Sequence, residues 1–475
     1  MYNAYITTLT NVRAHPNADR MKLADCFGNT VCVGLNAQEG DTVIYFPTDG
    51  QLSVEYCAQN DLVRRKDENG NAAGGYLDPE KRNIRAIRLR GEKSDGITMP
   101  LESLAYTGVD MATLTIGPLP GVVNGHEIYQ KYIPKSTDNC SSIRVGNKTR
   151  KKKVPVAPLF AEHADTEQLA YNLSAFHPGD EIEITLKMHG TSQRTGYLPV
   201  LKGYKKSFLD RLLNRDGEPI YDWGYVSGTR RVVLDSYEGG FYGDNQFREQ
   251  HSRIFEGKLM KGETVYYEVV GFTTSGQPIM SDASNKKLND KEFIKQYGEI
   301  TRFSYGCSPT GTKEFPMADT GLPYGAVVDC PQSDIYVYRM TMTNEDGFVV
   351  DYHPNLMRYR CEQMGVKCVP VLWKGFIPQE PAIPHPNYCH TSDMISDKMM
   401  RCDAGEYVKY VAELYYDGPD PVGKTHVREG VVIRIVDRPK FTAYKHKNFS
   451  FKVLEGIAKI DAEAPDMEEA QEVDA

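Results

Sequence analysis

The chain has 475 residues, more than one ordinary compact core holds, so two or three domains are expected. Its composition is 40% hydrophobic and 25% charged. No apolar run approaches the ~18 residues of a membrane span, and MYNAYITTLTNVRAHPNADR lacks the basic start and apolar centre of a signal peptide. The net charge of −8 excludes wholesale polyanion binding but leaves room for a local basic groove. Ten cysteines, none in a C-x-x-C pair, fit reduced thiols better than a disulfide framework or a cysteine zinc site.

Residues 1–120 read as short strands divided by Gly, Asp and Asn turns. TVCVGLN, GDTVIYFPTDG and NIRAIRLRG are the clearest, and their regular spacing suggests a small β-barrel. In NIRAIRLRG, Ile84, Ala86 and, past a break, Leu89 are expected to face one way, while Arg85, Arg88 and Arg90 crowd the exposed side as a solvated face or a nucleic-acid contact. HPNAD (15–19) reads as a turn. Residues 121–160, rich in Gly, Pro, Ser and Lys, read as a linker that ends in the basic run RVGNKTRKKK (144–153). A larger domain is expected over 161–458, and the acidic tail 459–475 reads as disordered.

In the larger domain, EIEITLKM, VYYEVVGF, DIYVYRM, REGVVIRI and FTAYKHKNFSF read as strands. NKKLNDKEFIKQYG and NLMRYRCEQMG read as helices. Lys187 ends the first strand, and Gly190 behind it allows a close backbone approach to a ligand. A lysine becomes a nucleophile only when deprotonated. Glu268 falls in the middle of an apolar strand, and Glu429 and Gly430 stand at the start of another. Lys445 and Lys447 alternate onto one strand face, where two ammonium groups call for an anion between them, such as a triphosphate. Buried carboxylates call for a divalent cation or a ribose. Tyr336 and Tyr338 share a face from which an aromatic ring could stack on a base. Each residue has a plain alternative: a core ion pair for Glu268, core packing for Tyr338, a hydrogen-bonded loop histidine for His189. HPNYCH (385–390) with Cys402 is too loosely spaced for a zinc site.

Taken in order, KMHG (187–190), SGTRR (227–231), YEVVGF, YVYRM, REGVVIR and YKHK resemble the motif series of the covalent nucleotidyltransferase superfamily. That superfamily contains ATP-dependent nucleic-acid ligases and capping enzymes. The nearest likeness is to the nick-sealing RNA ligases of phages and bacteria. The likeness spans about residues 160–458. Leu186 stands where some relatives carry a polar residue, Ser192 where some carry asparagine, and 274–330 looks like a family-specific insertion. VRAHPNADRMKLADC with the strands after it resembles the OB-type domain that precedes the catalytic domain in one RNA-ligase subgroup, and HPNAD resembles tRNA-binding OB domains.

The resemblance implies an α+β chain: an OB-like β-barrel, then an adenylyltransferase domain of ATP-grasp-like antiparallel sheets with helices. It implies an enzyme that seals 3′-OH/5′-phosphate RNA ends or nicks through a lysyl-AMP. Lys187 is implied as nucleophile, with Lys445 and Lys447 as catalytic cations. His189, Gly190, Arg230, Glu268, Tyr338 and Glu429 are implied in nucleotide binding, with Glu429 and Glu268 on the metal. ATP and Mg²⁺ or Mn²⁺ are the implied cofactors, and RNA or an RNA-containing nicked duplex is the implied partner. Neither a membrane nor a protein partner is implied. A cytoplasmic setting is expected, that of an infected host cell if the source is a phage. Two alternatives stay open. One is a non-catalytic nucleic-acid-binding protein with a nucleotidyltransferase shell. The other is a capping-type guanylyltransferase, disfavoured because only residues 448–475 follow Lys447, too few for the second barrel such enzymes carry.

Overall fold

A computed structural model describes residues 3–48, 50–66, 72–132, 155–206, 217–234, 237, 242, 245–288, 290–314, 327–384, 399–436 and 438–458. HPNYCH, the run 144–153, the tail 459–475 and residues 315–326 of the expected insertion lie outside the described residues. The chain divides into two compact units, residues 1–134 with 452–462, and residues 135–451 with 463–475. No helix among the described residues is long and apolar enough to cross a membrane.

In the first unit, alternation of small apolar and polar residues builds β1 (Asn3–Thr8), β2 (Thr10–Ala14), β3 (Met21–Cys26), β4 (Asn29–Gly34) and β5 (Thr42–Phe46). β6 (Ala86–Leu89) and β7 (Glu92–Asp95) form a hairpin, followed by β8 (Ile97–Pro100) and β9 (Gly117–Pro120). The pairing order is β8-β5-β1-β9 in one antiparallel sheet and β2-β3-β4 in another. Ala4 and Ile6 of β1 and Ile44 and Phe46 of β5 alternate into a core with Tyr56, Leu104 and Ile128. Among the described residues these pairings do not close into a barrel, so the expected OB-like closure is not seen; β2-β3-β4 and β6-β7 remain separate from the four-stranded sheet.

The expected HPNAD turn is present. His15 Nδ1 accepts from the Asn17 amide at 3.1 Å, and Asn17 Nδ2 donates to the Arg90 carbonyl at 2.9 Å. Arg90 stands at the β6–β7 turn with φ +47° and is exposed, whereas Arg85 is half-buried. The Arg88 side chain lies outside the described residues.

Two large, mainly antiparallel sheets dominate the described residues of the second unit. The first is built from β10 (Glu181–Leu186), β15 (Val371–Phe376), β16 (Gly430–Ile435) and β17 (Thr442–Lys447), ordered β17-β16-β10-β15, with Glu167–Gln168 parallel to β17. The second is ordered β12-β11-β13-β14, from β11 (Thr191–Lys205), β12 (Glu218–Gly228), β13 (Glu263–Gly271) and β14 (Ser333–Thr343). Short strands at Val233–Leu234, Val349–Asp351 and Lys367–Cys368 extend it.

Period two decides which faces are buried. Ile182, Ile184, Val431, Ile433 and Ile435 pack on Val408 and Val411 of α3 (Ala404–Glu413). α3 starts where Asp403 accepts from the Glu406 amide at 2.7 Å. Each of these fully buried branched side chains contributes about 1.5–3 kcal/mol. The opposite face carries Glu183, Thr185, Arg434, Ala443, Lys445 and Lys447. It meets the second sheet through Phe441, whose ring lies under the guanidinium groups of Arg339 at 4.9 Å and Arg434 at 5.1 Å. Arg358 of α2 (Pro354–Met364) holds Glu183 with two hydrogen bonds of 3.0 and 2.8 Å. The expected strand FTAYKHKNFSF is corrected at its end: β17 stops at Lys447, and Phe449–Ala458 form a helix, α4. The buried Asn448 ends the strand pattern; its amide donates to the Glu429 carbonyl at 2.8 Å and its Oδ1 accepts from the Phe451 amide.

The far face of the second sheet is closed by α1 (Gln246–Arg253), which buries Phe247, Arg248 and His251. His251 Nε2 lies 2.7 Å from Ser333 Oγ, and burial pushes the imidazole from 6.5 down to about 4. Between those values the unfolded chain binds a proton that the native state refuses. Stability is therefore expected to fall as pH drops through this window, by roughly 3 kcal/mol in all. Denaturant melts of the wild type and His251→Gln across this range check it. The wild type should show the steeper decline, and parallel curves would exclude this role for His251.

Candidate active site

β10 and β11 belong to different sheets, and residues 187–190 are the crossover between them. That position aims a residue at the end of β10 into the space that both sheets face. Three contacts fix the crossover. The Lys187 amide donates to the Gly430 carbonyl at 3.0 Å. The His189 amide donates to Tyr305 Oη at 2.9 Å. Gly190 lies so close to β13 that an added Cβ would stand 2.3 Å from the Val269 carbonyl oxygen. The close approach that Gly190 permits is thus to the protein's own backbone. Gly430 has φ +148°, and a Cβ there would meet the His446 carbonyl at 2.2 Å, so the turn from Glu429 into β16 also requires glycine.

Glu429, 1% exposed, is the centre of the charged cluster. Its Oε1 lies 2.7 Å from Lys187 Nζ and 3.2 Å from Lys447 Nζ, and its Oε2 lies 3.5 Å from His189 Nδ1. Burial alone would raise its carboxyl, but Lys187 and then Lys447 outweigh it and hold the group well below the usual carboxylate range. Two ammonium groups thus share one buried carboxylate at the strand crossover. Lys445, two residues before Lys447 on β17, is half-buried.

A second cluster lies on the facing sheet. Ser192 pairs with Glu268 and Glu268 with Tyr336 across β11, β13 and β14, so the three share a face. Ser192 Oγ donates to Glu268 Oε2 at 3.1 Å and lies 3.3 Å from Tyr338 Oη. The register shifts between Tyr266 and Tyr267, leaving Tyr338 as the extra residue of a β-bulge, a device that re-aims a side chain. The Tyr338 ring packs against His163 at 5.3 Å with a 58° tilt. Burial and the neighbouring Glu268 raise its phenol far above the ordinary value, so it stays neutral. Arg230 pairs with Asp165 at 2.9 Å, and its carbonyl accepts from the His163 amide at 3.1 Å.

Lys187, His189, Glu429 and Lys447 therefore meet directly, and Glu268 and Tyr338 meet through Ser192. Arg85, Arg88 and Arg90 belong to the first unit. Among the described residues no group of three or more His, Cys, Asp or Glu side chains could hold a metal ion by itself. A hard cation here would take one or two carboxylates and complete its shell with phosphate oxygens and water, the usual habit of Mg²⁺.

Sequence reading missed several contributors. Arg248 of α1, 1% exposed, donates from Nη1 to the Ser192 carbonyl at 3.1 Å and from Nη2 to Thr191 Oγ1 at 2.7 Å, bracing β11 from behind. His163 belongs to a stretch expected to begin just past a linker. Tyr305 and Phe303 come from the expected insertion.

No protein-family model matches the chain, and no curated protein sequence matches it. Solved structures do. An RNA ligase of Naegleria gruberi with PPi is similar over 97% of this chain and 99% of its own, at 16% identity and a TM-score of 0.52. Point mutants of the Naegleria gruberi RNA ligase with ATP and Mn, and with AMP and Mn, are each 15% identical with a TM-score of 0.50. They cover 94% and 95% of this chain, and 96% and 98% of their own. At these identities the likeness establishes a shared fold across nearly the whole length. The mixed, sheet-rich architecture of this chain is that of these RNA ligase structures.

Proposed function

We propose that this chain is an ATP-dependent RNA ligase that joins 3′-OH and 5′-phosphate RNA ends or nicks through a lysyl-AMP intermediate. The observation that carries the reading is the Lys187–Glu429–Lys447 cluster at the crossover of two facing sheets. A half-buried lysine amine held beside a second cation and a carboxylate suits nucleophilic attack on a phosphate.

In the first step the neutral Lys187 amine attacks the α-phosphorus of ATP. A P–N bond forms, the bond to the bridging oxygen breaks, pyrophosphate leaves, and the nitrogen gives up one proton to solvent. In the second step an oxygen of the RNA 5′-phosphate attacks the lysyl-AMP phosphorus, the P–N bond breaks, and the departing nitrogen takes a proton back as the lysine is freed. In the third, the 3′-hydroxyl oxygen attacks the 5′-phosphorus, its proton passes to solvent, and AMP leaves. Lys447 and Lys445 offset charge on the reacting phosphate. Tyr338, on its bulge, supplies the aromatic surface for adenine, and Ser192 holds it and Glu268 in place. Arg230 contacts ribose or RNA phosphate, and His189 supports transfer of AMP to RNA.

Glu429 and Glu268 are both buried carboxylates, the hard oxygen donors a divalent cation takes, and they are the residues that would hold it. When bound, such an ion would supply positive charge to the phosphate oxygens. The first unit serves as a nucleic-acid-binding element with Arg85, Arg88 and Arg90 on RNA. Residues 161–458 act as the nucleotidyltransferase domain, and the affinity with phage and bacterial nick-sealing enzymes and a cytoplasmic location belong to the same reading.

Sealing of nicked duplexes with RNA or DNA on either side of the nick, with ATP or GTP, tests this. The proposal expects sealing with ATP when the 3′-OH strand is RNA. Transfer of GMP instead would point to capping chemistry, and no nucleotidyl transfer at all to a non-catalytic shell.

A further inference from the structure

The stretch 274–330 carries none of the motif residues, yet part of it forms a wall of the site. A short hairpin pairs Ala283–Ser284 with Ile300–Thr301 around a helix at Lys291–Tyr297, which is capped by Asp290. The chain then turns back through Phe303 and Tyr305, both buried. Tyr305 has φ +49° and Gly306 φ +85°. A bulky residue in the left-handed region costs energy and persists only where its surroundings over-determine it. Here the surroundings are aromatic. The Tyr305 ring meets His426 at 4.8 Å, and Phe303 meets His426 at 5.3 Å and the edge of His189 at 4.6 Å.

What this strained turn delivers is one hydroxyl. Tyr305 Oη accepts the His189 amide at 2.9 Å, two residues from the Lys187 amine. The other two fixings of the crossover, at Lys187 and Gly190, go to strands of the two sheets. The third comes from a segment outside both. Burial and the nearby carboxylates of Asp420, Glu429 and Glu268 keep the phenol protonated.

We propose that Tyr305 is a positioning residue for the attack of Lys187 on ATP, and that the turn at 303–306 is part of the adenylylation machinery. The inference rests on the lysyl-AMP reading. Its physical basis is that a small misplacement of a nucleophile costs about a hundredfold in rate while leaving substrate binding largely untouched.

The test is single-turnover AMP transfer to the full-length chain, with sealing of a pre-adenylated RNA strand and the thermal midpoint measured alongside. Tyr305→Phe is expected to slow adenylylation at saturating ATP by at least about tenfold, with the half-saturating ATP concentration changed by less than about threefold. Sealing of the pre-adenylated strand, which bypasses attack by Lys187, should fall much less. Tyr297→Phe, which removes a hydroxyl elsewhere in the same segment, should behave as wild type. Adenylylation by Tyr305→Phe within about twofold of wild type would overturn the inference. So would a parallel fall of adenylylation, pre-adenylated sealing and thermal midpoint, because that is the signature of a merely structural residue. Absence of any adduct on the wild type would overturn the lysyl-AMP reading itself, and the inference with it.

Discussion

Lys187→Ala protein is expected to take up no AMP from ATP and to join no 5′-phosphate RNA, yet still to seal a pre-adenylated strand. The side chain removed is one of two ammonium groups on Glu429, and Lys447, 3.2 Å from the same oxygen, still satisfies the carboxylate. The variant should therefore remain folded. Lys187→Arg sharpens the result. It keeps a positive charge beside Glu429, but a guanidinium is not deprotonated in proteins and cannot attack phosphorus. Both variants should lose the adduct, so that charge and nucleophilicity separate. Labelling of either variant at the wild-type rate would remove Lys187 from the chemistry.

Glu429→Gln is expected to be the most damaging single substitution for stability in the site. It leaves two ammonium groups, 14% and 11% exposed, facing a neutral amide. Removing one partner from a buried ion pair costs about 3–5 kcal/mol. Adenylylation should fall at the same time, because Lys187 and Lys447 lose the group that holds them together. The pH dependence carries a sign that can be checked. The native carboxyl is held below its unfolded value of 4.5, so its contribution is complete above that value and drains away as pH falls through the lower native value. The wild-type advantage over Glu429→Gln should thus be largest near neutrality and shrink below about pH 4. Denaturant melts of the two proteins at both ends of that range decide it. An advantage independent of pH would mean that the carboxylate is not the origin.

Much of this site was legible because its residues ride on strands with a strict two-residue alternation. Lys187 at the end of β10, Glu429 at the start of β16 and Lys447 at the end of β17 are three strand termini. Their convergence follows once β10, β16 and β17 pair as neighbours. Burial of Ile182, Ile184, Ile433 and Ile435 on the other face sets that pairing. Tyr338 was legible as an aromatic near the site, but its bulge was not, because an extra residue leaves no trace in an alternating pattern. Tyr305 and Phe303 act from a turn with positive φ, where no periodicity exists to read. Arg248 lies in FREQHSR, on a helix of eight residues, too short to show a face in the sequence. Its burial is set by the strand beneath it. In the first unit the strands were read near their places, Thr42–Phe46 and Asn29–Gly34 among them. Closure of a barrel depends on long-range pairing, which local patterns do not specify.

One amine, at the junction of two sheets, is expected to become covalently bonded to AMP. Intact-mass analysis of wild-type protein incubated with ATP and Mn²⁺, followed by peptide mapping of the product, tests it most directly. The expected product carries a single added AMP, on the peptide that contains KMHG and on the lysine of that motif. An adduct mapped to any other residue, or none with either Mn²⁺ or Mg²⁺, would contradict it.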